Sequence, residues 1–149
     1  MVIVSVRYDS AIVRGKLANL EEVLDRIAMI KNETSLASWM VDDLLVLQLQ
    51  HGVQAAIDLA NHLIARNAWK APSTAAAAFQ ELATHGIIDT AFQPTLSRMV
   101  AFRNLSVHRY GDLDMSIVHD VVDHHLDDFR TFMVAVSQAT IGAESDSEE

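Results

Sequence analysis

The sequence predicts a single all-α domain, a bundle of four to five helices, from three observations. Its length of 149 residues suits one domain with one hydrophobic core. Apolar residues recur at spacings of three and four over most of the chain, which is the period of helices that pack in a bundle. Only two Pro and five Gly occur in the whole chain, so long stretches contain no helix-breaking residue.

The first helix is predicted at residues 10–31. We interpret it as scaffold, because its apolar residues form one stripe spaced by four, three, four and three. Before it, residues 2–8 carry several β-branched side chains and are compatible with a short strand or with an extended arm. The stripe of this helix consists of Val13, Leu17, Leu20, Leu24 and Ile27.

The second helix is the longest and is predicted at residues 36–67, with Thr34 or Ser35 as its N-cap. Asp58 and His62 are four residues apart and therefore share one face of it. They are compatible with an ordinary ion pair on a helix, or with a carboxylate that supports a catalytic histidine elsewhere. The core stripe of the second helix consists of Leu45, Leu49, Val53, Ala56, Ala60 and Leu63.

The third helix is predicted at residues 75–83, a run of strong helix formers. Ser73 or Thr74 is expected to cap its first turn, because these hydroxyls accept hydrogen bonds from unpaired backbone N–H groups. Gly86 is expected to end it, since glycine readily adopts the left-handed conformation that follows a helix.

Two further helices complete the predicted bundle. Asp89 or Thr90 is expected to cap the fourth, and Pro94 lies so near its start that the helix begins later or bends there. The last helix is expected to be continuous after a cap at Asp114. Its predicted core residues are Val118, Val122, Phe129, Phe132 and Val136.

Four polar side chains gather near the end of the fourth helix: Arg103, Asn104, His108 and Tyr110, followed by Gly111, which is expected to stop the helix. Spacings of seven and four place them on one side of the helix end. An arginine fork fits phosphate oxygens, a histidine moves protons near neutral pH, and an asparagine can fix the imidazole tautomer. The same spacing also suits solvated cations that are favoured by the helix dipole, and spacing alone leaves both interpretations open.

The formal charge of -9 argues against a tight, non-specific nucleic-acid binder, because such binding depends on neutralising phosphates. The charge is unevenly distributed. Residues 141–149 carry four of the acidic side chains and are expected to form a disordered tail beyond a domain at residues 1–140. Residues 66–110 carry five cations against two anions. This small basic region is compatible with brief contact to RNA or with docking on a partner protein.

The absence of cysteine excludes disulfides, thiolate nucleophiles and Cys-ligated zinc. No metal site is expected from the nearest histidine cluster, His119, His124 and His125, because these side chains diverge on a helix. The opening apolar run is too short for a signal peptide, and no run approaches the length of a membrane span. We therefore expect a soluble, cytoplasmic protein.

The four polar side chains at this helix end resemble the Arg-Asn-x3-His-x-Tyr signature of HEPN-domain proteins, specifically of the HepT toxin family. We call these residues the motif: Arg103, Asn104, His108 and Tyr110. The similarity extends over residues 12–137 and keeps the order of the helices. At Gln54 the chain departs from the family, which often carries Glu there. The resemblance implies a HEPN-like antiparallel helical bundle that forms a dimer.

Metal-free cleavage of RNA needs a base for the ribose 2′-hydroxyl, an acid for the leaving 5′ oxygen and a cation for the charge on phosphorus. One His108 cannot easily serve both sides of the phosphate. The resemblance implies a metal-independent endoribonuclease without cofactor, in which His108 and Arg103 from both protomers of a homodimer form one composite site. In this hypothesis Asn104 orients His108, and Asp58 is a carboxylate behind it.

The resemblance also implies a protein partner, a minimal nucleotidyltransferase antitoxin that uses Mg-ATP and adds AMP to Tyr110. The chain would then be the toxin of a type VII toxin–antitoxin pair, inhibited by AMPylation. The alternative is a non-catalytic binding or regulatory subunit of that nucleotidyltransferase, and the acidic charge favours this alternative.

Overall fold

The computed structural model of this protein describes residues 6–141. This part of the chain forms six α-helices and two short 3-10 turns and contains no β-strand. The predicted all-α class is confirmed, with one helix more than expected. The helices are α1 (Ser10–Asn32), α2 (Ser38–Arg66), α3 (Ala75–Thr84), α4 (Gln93–His108), α5 (Met115–His124) and α6 (Asp127–Ile141), with 3-10 turns at Thr90–Phe92 and Tyr110–Asp112.

The long helix α2 is the centre of the bundle and packs against α1, α3, α4 and α5. Every residue of its predicted core stripe is buried. Its neighbour α1 runs antiparallel to it, since Lys16 contacts Asp58 while Asp9, just before α1, contacts His62. The predicted stripe of α1 is buried except for the half-buried Leu17.

Helix α6 packs closely on α2 at Gly52. A β-carbon added there would lie 2.9 Å from the ring of Phe129 and 3.3 Å from Val23. Only glycine fits this contact without displacing an aromatic ring that is itself buried. The residue that weakens α2 as an isolated helix therefore permits its tertiary packing.

Helix caps decide where the elements begin. Thr74 caps α3, Asp89 caps the 3-10 turn before α4, and Asp114 caps α5. The predicted cap of α2 is wrong: the helix begins after Ala37 without any side-chain cap. The side chain of Ser35 is used elsewhere, because its N–H and hydroxyl both donate to the Glu33 carboxylate at 2.9 and 2.7 Å.

The predicted continuous last helix is divided in two. Helix α5 ends at His124, and the chain turns at His125 before α6 begins at Asp127. The acidic pair Asp127 and Asp128 occupies the first turn of α6, where the helix dipole favours negative charge. The bend allows α6 to bury its own aromatic face in the core formed by the other helices.

The chain ends fall partly outside the described residues. Before α1, residues 6–9 are neither helix nor strand; Val6 is buried, and Arg7 exchanges two backbone hydrogen bonds with the Asn67 side chain. This favours the extended arm for that portion, whereas residues 2–5 lie outside. The predicted acidic tail also lies outside the described residues, except for Ile141, which ends α6. Within residues 6–141, no helix combines the length and the apolar character that crossing a membrane requires.

Candidate functional site

The motif lies where α4 ends against α2. Helix α4 ends at His108, and Tyr110 belongs to the 3-10 turn that follows. The predicted stop at Gly111 is wrong, because the backbone leaves the helical conformation at Arg109, with φ of -142°. Tyr110 nevertheless faces α2, as Arg103 does, so the periodicity predicted the shared face although the turn produces it.

Arg103 is half-buried, and its described hydrogen-bond partners are uncharged. One guanidinium nitrogen, Nη2, donates to Oε1 of Gln54 on α2 at 2.6 Å. The other, Nη1, donates to Oδ1 of Asn104 at 3.0 Å. Neither partner carries a charge, so the positive charge of Arg103 is held in place without being neutralised by a carboxylate.

Behind Gln54 lies a carboxylate that fixes its orientation. Gln54 Nε2 donates to Asp58 Oδ1 at 2.9 Å, and Lys16 Nζ pairs with the other Asp58 oxygen at 2.9 Å. Asp58 therefore supports Arg103 through Gln54. The predicted pairing of Asp58 with His62 is replaced by these contacts, and His62 Nε2 accepts the backbone N–H of Asp9 at 2.9 Å.

His108 is exposed at the last position of α4. Its side chain makes no hydrogen bond within residues 6–141, so neither Asp58 nor Asn104 is hydrogen-bonded to it. The predicted contact between Asn104 and His108 is thus replaced by the contact between Asn104 and Arg103. Within one chain, the imidazole is accessible to whatever covers this end of α4.

Tyr110 donates a hydrogen bond through its hydroxyl to Asp43 Oδ1 on α2. This hydrogen bond, together with partial burial and the negative charges of Asp43 and Asp42, raises the pKa of Tyr110 to about 12. The phenol is therefore held in its protonated form at neutral pH. The residue is still 41% exposed, so this end of the helix is open to solvent.

Two contacts fix the register of α4 on α2. Arg103 meets Gln54, and seven residues later Tyr110 meets Asp43, so the two helices run antiparallel. Asp43 and Gln54 are eleven residues apart, or roughly 16 Å along α2 at 1.5 Å per residue. Apolar side chains stay exposed on α2 over and beside this interval, and one more on α4. We call these residues the apolar stripe: Met40, Leu44 and Leu47 of α2 with Val107 of α4.

Two histidines outside the motif, both on the fifth helix or at its end, contact carboxylates. His119 lies 2.7 Å from Asp42, and His125 lies 3.2 Å from Asp120. Across the described residues 6–141, no three His, Asp or Glu side chains gather closely enough to hold a metal ion. These histidines therefore attach α5 to α2 and to its own C-terminal end.

Sequence reasoning missed Asp43 and gave Gln54 no role. Asp43 is 67 residues from Tyr110, and Gln54 is 49 residues from Arg103. Periodicity reports which face a residue occupies, but not which residue of another helix stands opposite. The acidic pair Asp42-Asp43 on an otherwise apolar face was the available signal for the first contact.

Comparison with known proteins gives two concordant results. The family model described as "Ribonuclease HepT-like" matches residues 16–136. A curated relative, the mRNA nuclease HepT of Shewanella oneidensis, is 32% identical over 124 residues, which cover 82% of this chain and 93% of the relative.

Solved structures agree with the sequence comparison. A tri-AMPylated HEPN toxin of Shewanella oneidensis in complex with an MNT antitoxin superposes with a TM-score of 0.79 at 31% identity, covering 85% of this chain and 97% of that one. A toxin–antitoxin structure with AMP-PNP gives a TM-score of 0.78 at 31% identity, covering 84% and 97%. From the matched model, the curated relative and the shared fold, this chain belongs to the ribonuclease HepT-like family.

Proposed function

We propose that this protein is the toxin of a type VII toxin–antitoxin pair and acts as a metal-independent endoribonuclease. The observation that carries the proposal is that one helix end presents both Arg103, whose charge no carboxylate neutralises, and an exposed His108. The family supports ribonuclease activity, and a relative of 32% identity is an mRNA nuclease.

The active site is composite and requires a second copy of the chain. Exposed apolar side chains mark an interaction surface, and those of the apolar stripe neighbour Asp43 along α2 and Tyr110 along the chain. Leu47 is 42% exposed and Val107 49% exposed. A two-fold symmetric partner that covers the stripe places its own motif against the first one.

The chemistry needs both copies of His108. One imidazole removes the proton from the ribose 2′-hydroxyl, whose oxygen attacks the adjacent phosphorus. The bond from phosphorus to the 5′ oxygen breaks, and the second imidazolium donates a proton to that oxygen. Arg103 stabilises the negative charge that accumulates on the phosphate oxygens. The products are a 2′,3′-cyclic phosphate and a 5′-hydroxyl, and no cofactor enters.

Asn104 and Asp58 act on Arg103. Asn104 holds one guanidinium nitrogen directly, and Asp58 fixes the Gln54 amide that holds the other. A guanidinium restrained by two oriented amides loses little rotational freedom when a phosphate binds. Both residues are positioning residues in this scheme.

The regulator is a nucleotidyltransferase antitoxin that uses Mg-ATP and transfers AMP to Tyr110. Support comes from the similar toxin that is tri-AMPylated in complex with an MNT antitoxin. Tyr110 and Arg103 face the same helix, so an AMP on the phenol adds a phosphate and a purine base to the surface that RNA must reach. Inhibition follows from charge repulsion and from steric exclusion.

The test is an RNase assay of the purified protein in EDTA with end-group analysis. Wild type is expected to leave 2′,3′-cyclic phosphate ends. Arg103→Ala and His108→Ala are expected to lose at least about 100-fold in rate. Arg98→Ala and His124→Ala are matched controls, because both side chains are exposed and lie outside the motif. Wild-type rates in the His108→Ala protein would refute the nuclease assignment.

The second candidate is a non-catalytic subunit of the nucleotidyltransferase, which the charge of -9 favours. Expression without the antitoxin separates the two. A nuclease arrests growth, and Arg103→Ala relieves the arrest. Absence of arrest, or arrest that Arg103→Ala does not relieve, supports the non-catalytic subunit.

A further inference from the structure

The hydroxyl of Tyr110 has one described acceptor, and it is a carboxylate. Asp43 reaches it from the first turns of α2, and both side chains are exposed. An enzyme that delivers an adenylyl group to Tyr110 therefore meets a phenol and a carboxylate already in hydrogen-bond contact.

The charged groups around this contact leave Asp43 without a cation. His119 pairs with the neighbouring Asp42 at 2.7 Å, and Arg109 pairs with Asp112 in the turn at 2.8 Å. Within the described part of the chain, no salt bridge engages Asp43. A carboxylate that no cation neutralises is a better proton acceptor than one held in an ion pair.

Nucleophilic attack by Tyr110 requires loss of its proton. With a pKa of about 12, a phenol is ionised at pH 7 in only about one molecule in 10⁵. A route through free phenolate is therefore slow. Transfer of the proton to an adjacent carboxylate while the new bond forms avoids that intermediate.

We propose that Asp43 is the general base for AMP transfer to Tyr110, so that the substrate protein supplies a catalytic group for its own modification. The proposal rests on the AMPylation of Tyr110 proposed above. In the step, Tyr110 Oη forms a bond to the α-phosphorus of ATP and its proton passes to Asp43. The bond from that phosphorus to the β-phosphate oxygen breaks, and pyrophosphate leaves.

The contact between Asp43 and Tyr110 could instead slow AMP transfer by stabilising the protonated phenol. The two roles predict opposite changes in the transfer rate when the charge of Asp43 is removed. If Asp43 only stabilises the protonated phenol, removing its charge speeds the reaction by lowering the pKa of Tyr110. If Asp43 is the base, removing its charge slows the reaction. Asp43→Asn distinguishes these outcomes, because the amide oxygen still accepts a hydrogen bond but does not take up a proton.

The experiment measures the rate of AMP addition by intact mass, with saturating cognate nucleotidyltransferase and Mg-ATP. Asp43→Asn is expected to slow transfer at pH 7 at least about 100-fold, with a smaller deficit at pH 9 to 10, where phenolate becomes available. Asp43→Glu keeps a carboxylate and is expected to be faster than Asp43→Asn. Asp42→Asn is the matched control and is expected to stay close to the wild-type rate.

Each outcome decides one proposal. A rate for Asp43→Asn equal to or above wild type overturns the base assignment, and so do equally slow rates for Asp43→Asn and Asp43→Glu. Peptide mapping with Tyr110→Phe separates this failure from that of the proposed function. Wild type that gains no AMP, or gains it elsewhere than Tyr110, refutes the proposed modification and the base together.

Discussion

Arg103 donates a hydrogen bond to Gln54 at 2.6 Å, so a neutral amide fastens the motif to the central helix. The amide is itself oriented by Asp58, which accepts from its nitrogen at 2.9 Å. A buried arginine is often held by an ion pair with a carboxylate, which neutralises the guanidinium charge. Here the Asp58 carboxylate contacts Gln54 and not Arg103. Arg103 is therefore held in position while its charge remains available to a phosphate.

This arrangement predicts the effect of Gln54→Glu. The new carboxylate would pair with Arg103 and compete with the RNA phosphate. We expect the KM for RNA to rise about fivefold, which corresponds to about 1 kcal/mol for a partly exposed ion pair. Gln50→Glu, the same charge change one turn earlier on α2, is the matched control for Michaelis–Menten measurements. Equal KM values for wild type and Gln54→Glu would contradict the role of the neutral amide.

The apolar stripe predicts a dimer that one substitution disrupts. Leu47→Glu places a charge at the centre of the proposed interface, where its desolvation is unfavourable. We expect this variant to sediment as a monomer and to lose RNase activity together with the dimer. Val134→Glu on α6 also replaces an exposed apolar residue and is expected to remain dimeric. A dimeric Leu47→Glu protein would exclude the stripe as the interface.

Two helical glycines are expected to respond oppositely to alanine, because only Gly52 lies at the contact between α2 and α6. Gly52→Ala pushes a β-carbon to 2.9 Å from the Phe129 ring, and we expect a loss of about 1 to 3 kcal/mol in the free energy of unfolding. Gly15→Ala has nothing within 4 Å and lies inside α1, so it is expected to gain about 0.5 to 1 kcal/mol. Urea denaturation measures both. Equal stability of the two variants would show that the Phe129 ring moves aside at little cost.

The hydrogen bond to Asp43 predicts a late tyrosine titration. Because the pKa of Tyr110 is raised from 10.0 to about 12, the contact stabilises the folded chain below pH 10 and this contribution is lost as the pH rises through about 12. Absorbance at 295 nm should show a tyrosine step near pH 12 that moves toward 10 in Asp43→Asn and disappears in Tyr110→Phe. Circular dichroism on the same samples verifies that the helices persist. A titration complete by pH 10.5 in folded wild type would disprove the contact.

The sequence predicted the helices well where one hydrophobic face decides them. The predicted core residues of α1 and α2 are buried nearly as expected, because apolar residues spaced by three and four can share only one face of a long helix. Helix ends were less predictable, since several local hydrogen bonds compete for each cap. Ser35 illustrates this: its hydroxyl suits an N-cap, but it is bound by Glu33 two residues earlier.

In the candidate site, too, the sequence predicted the face that a residue occupies but not its partner on another helix. Arg103 and Tyr110 were correctly expected on one face, and the family signature supplied their roles as expectations. Their partners Gln54 and Asp43 depend on the register of α4 against α2, which no local pattern encodes. The predicted hydrogen bond between Asn104 and His108 is replaced by a local one, because Asn104 Oδ1 accepts from the adjacent Arg103.

The central claim is that two protomers share one active site, and a mixed dimer tests it most directly. Wild-type and His108→Ala chains are co-expressed with different tags, and the dimer that carries both tags is purified and assayed for RNA cleavage in EDTA. A composite site predicts that the mixed dimer is at least about 100-fold slower than wild type, because acid and base can no longer both be histidine. A mixed dimer with half of the wild-type rate would show that each protomer cleaves RNA alone, and would contradict the account.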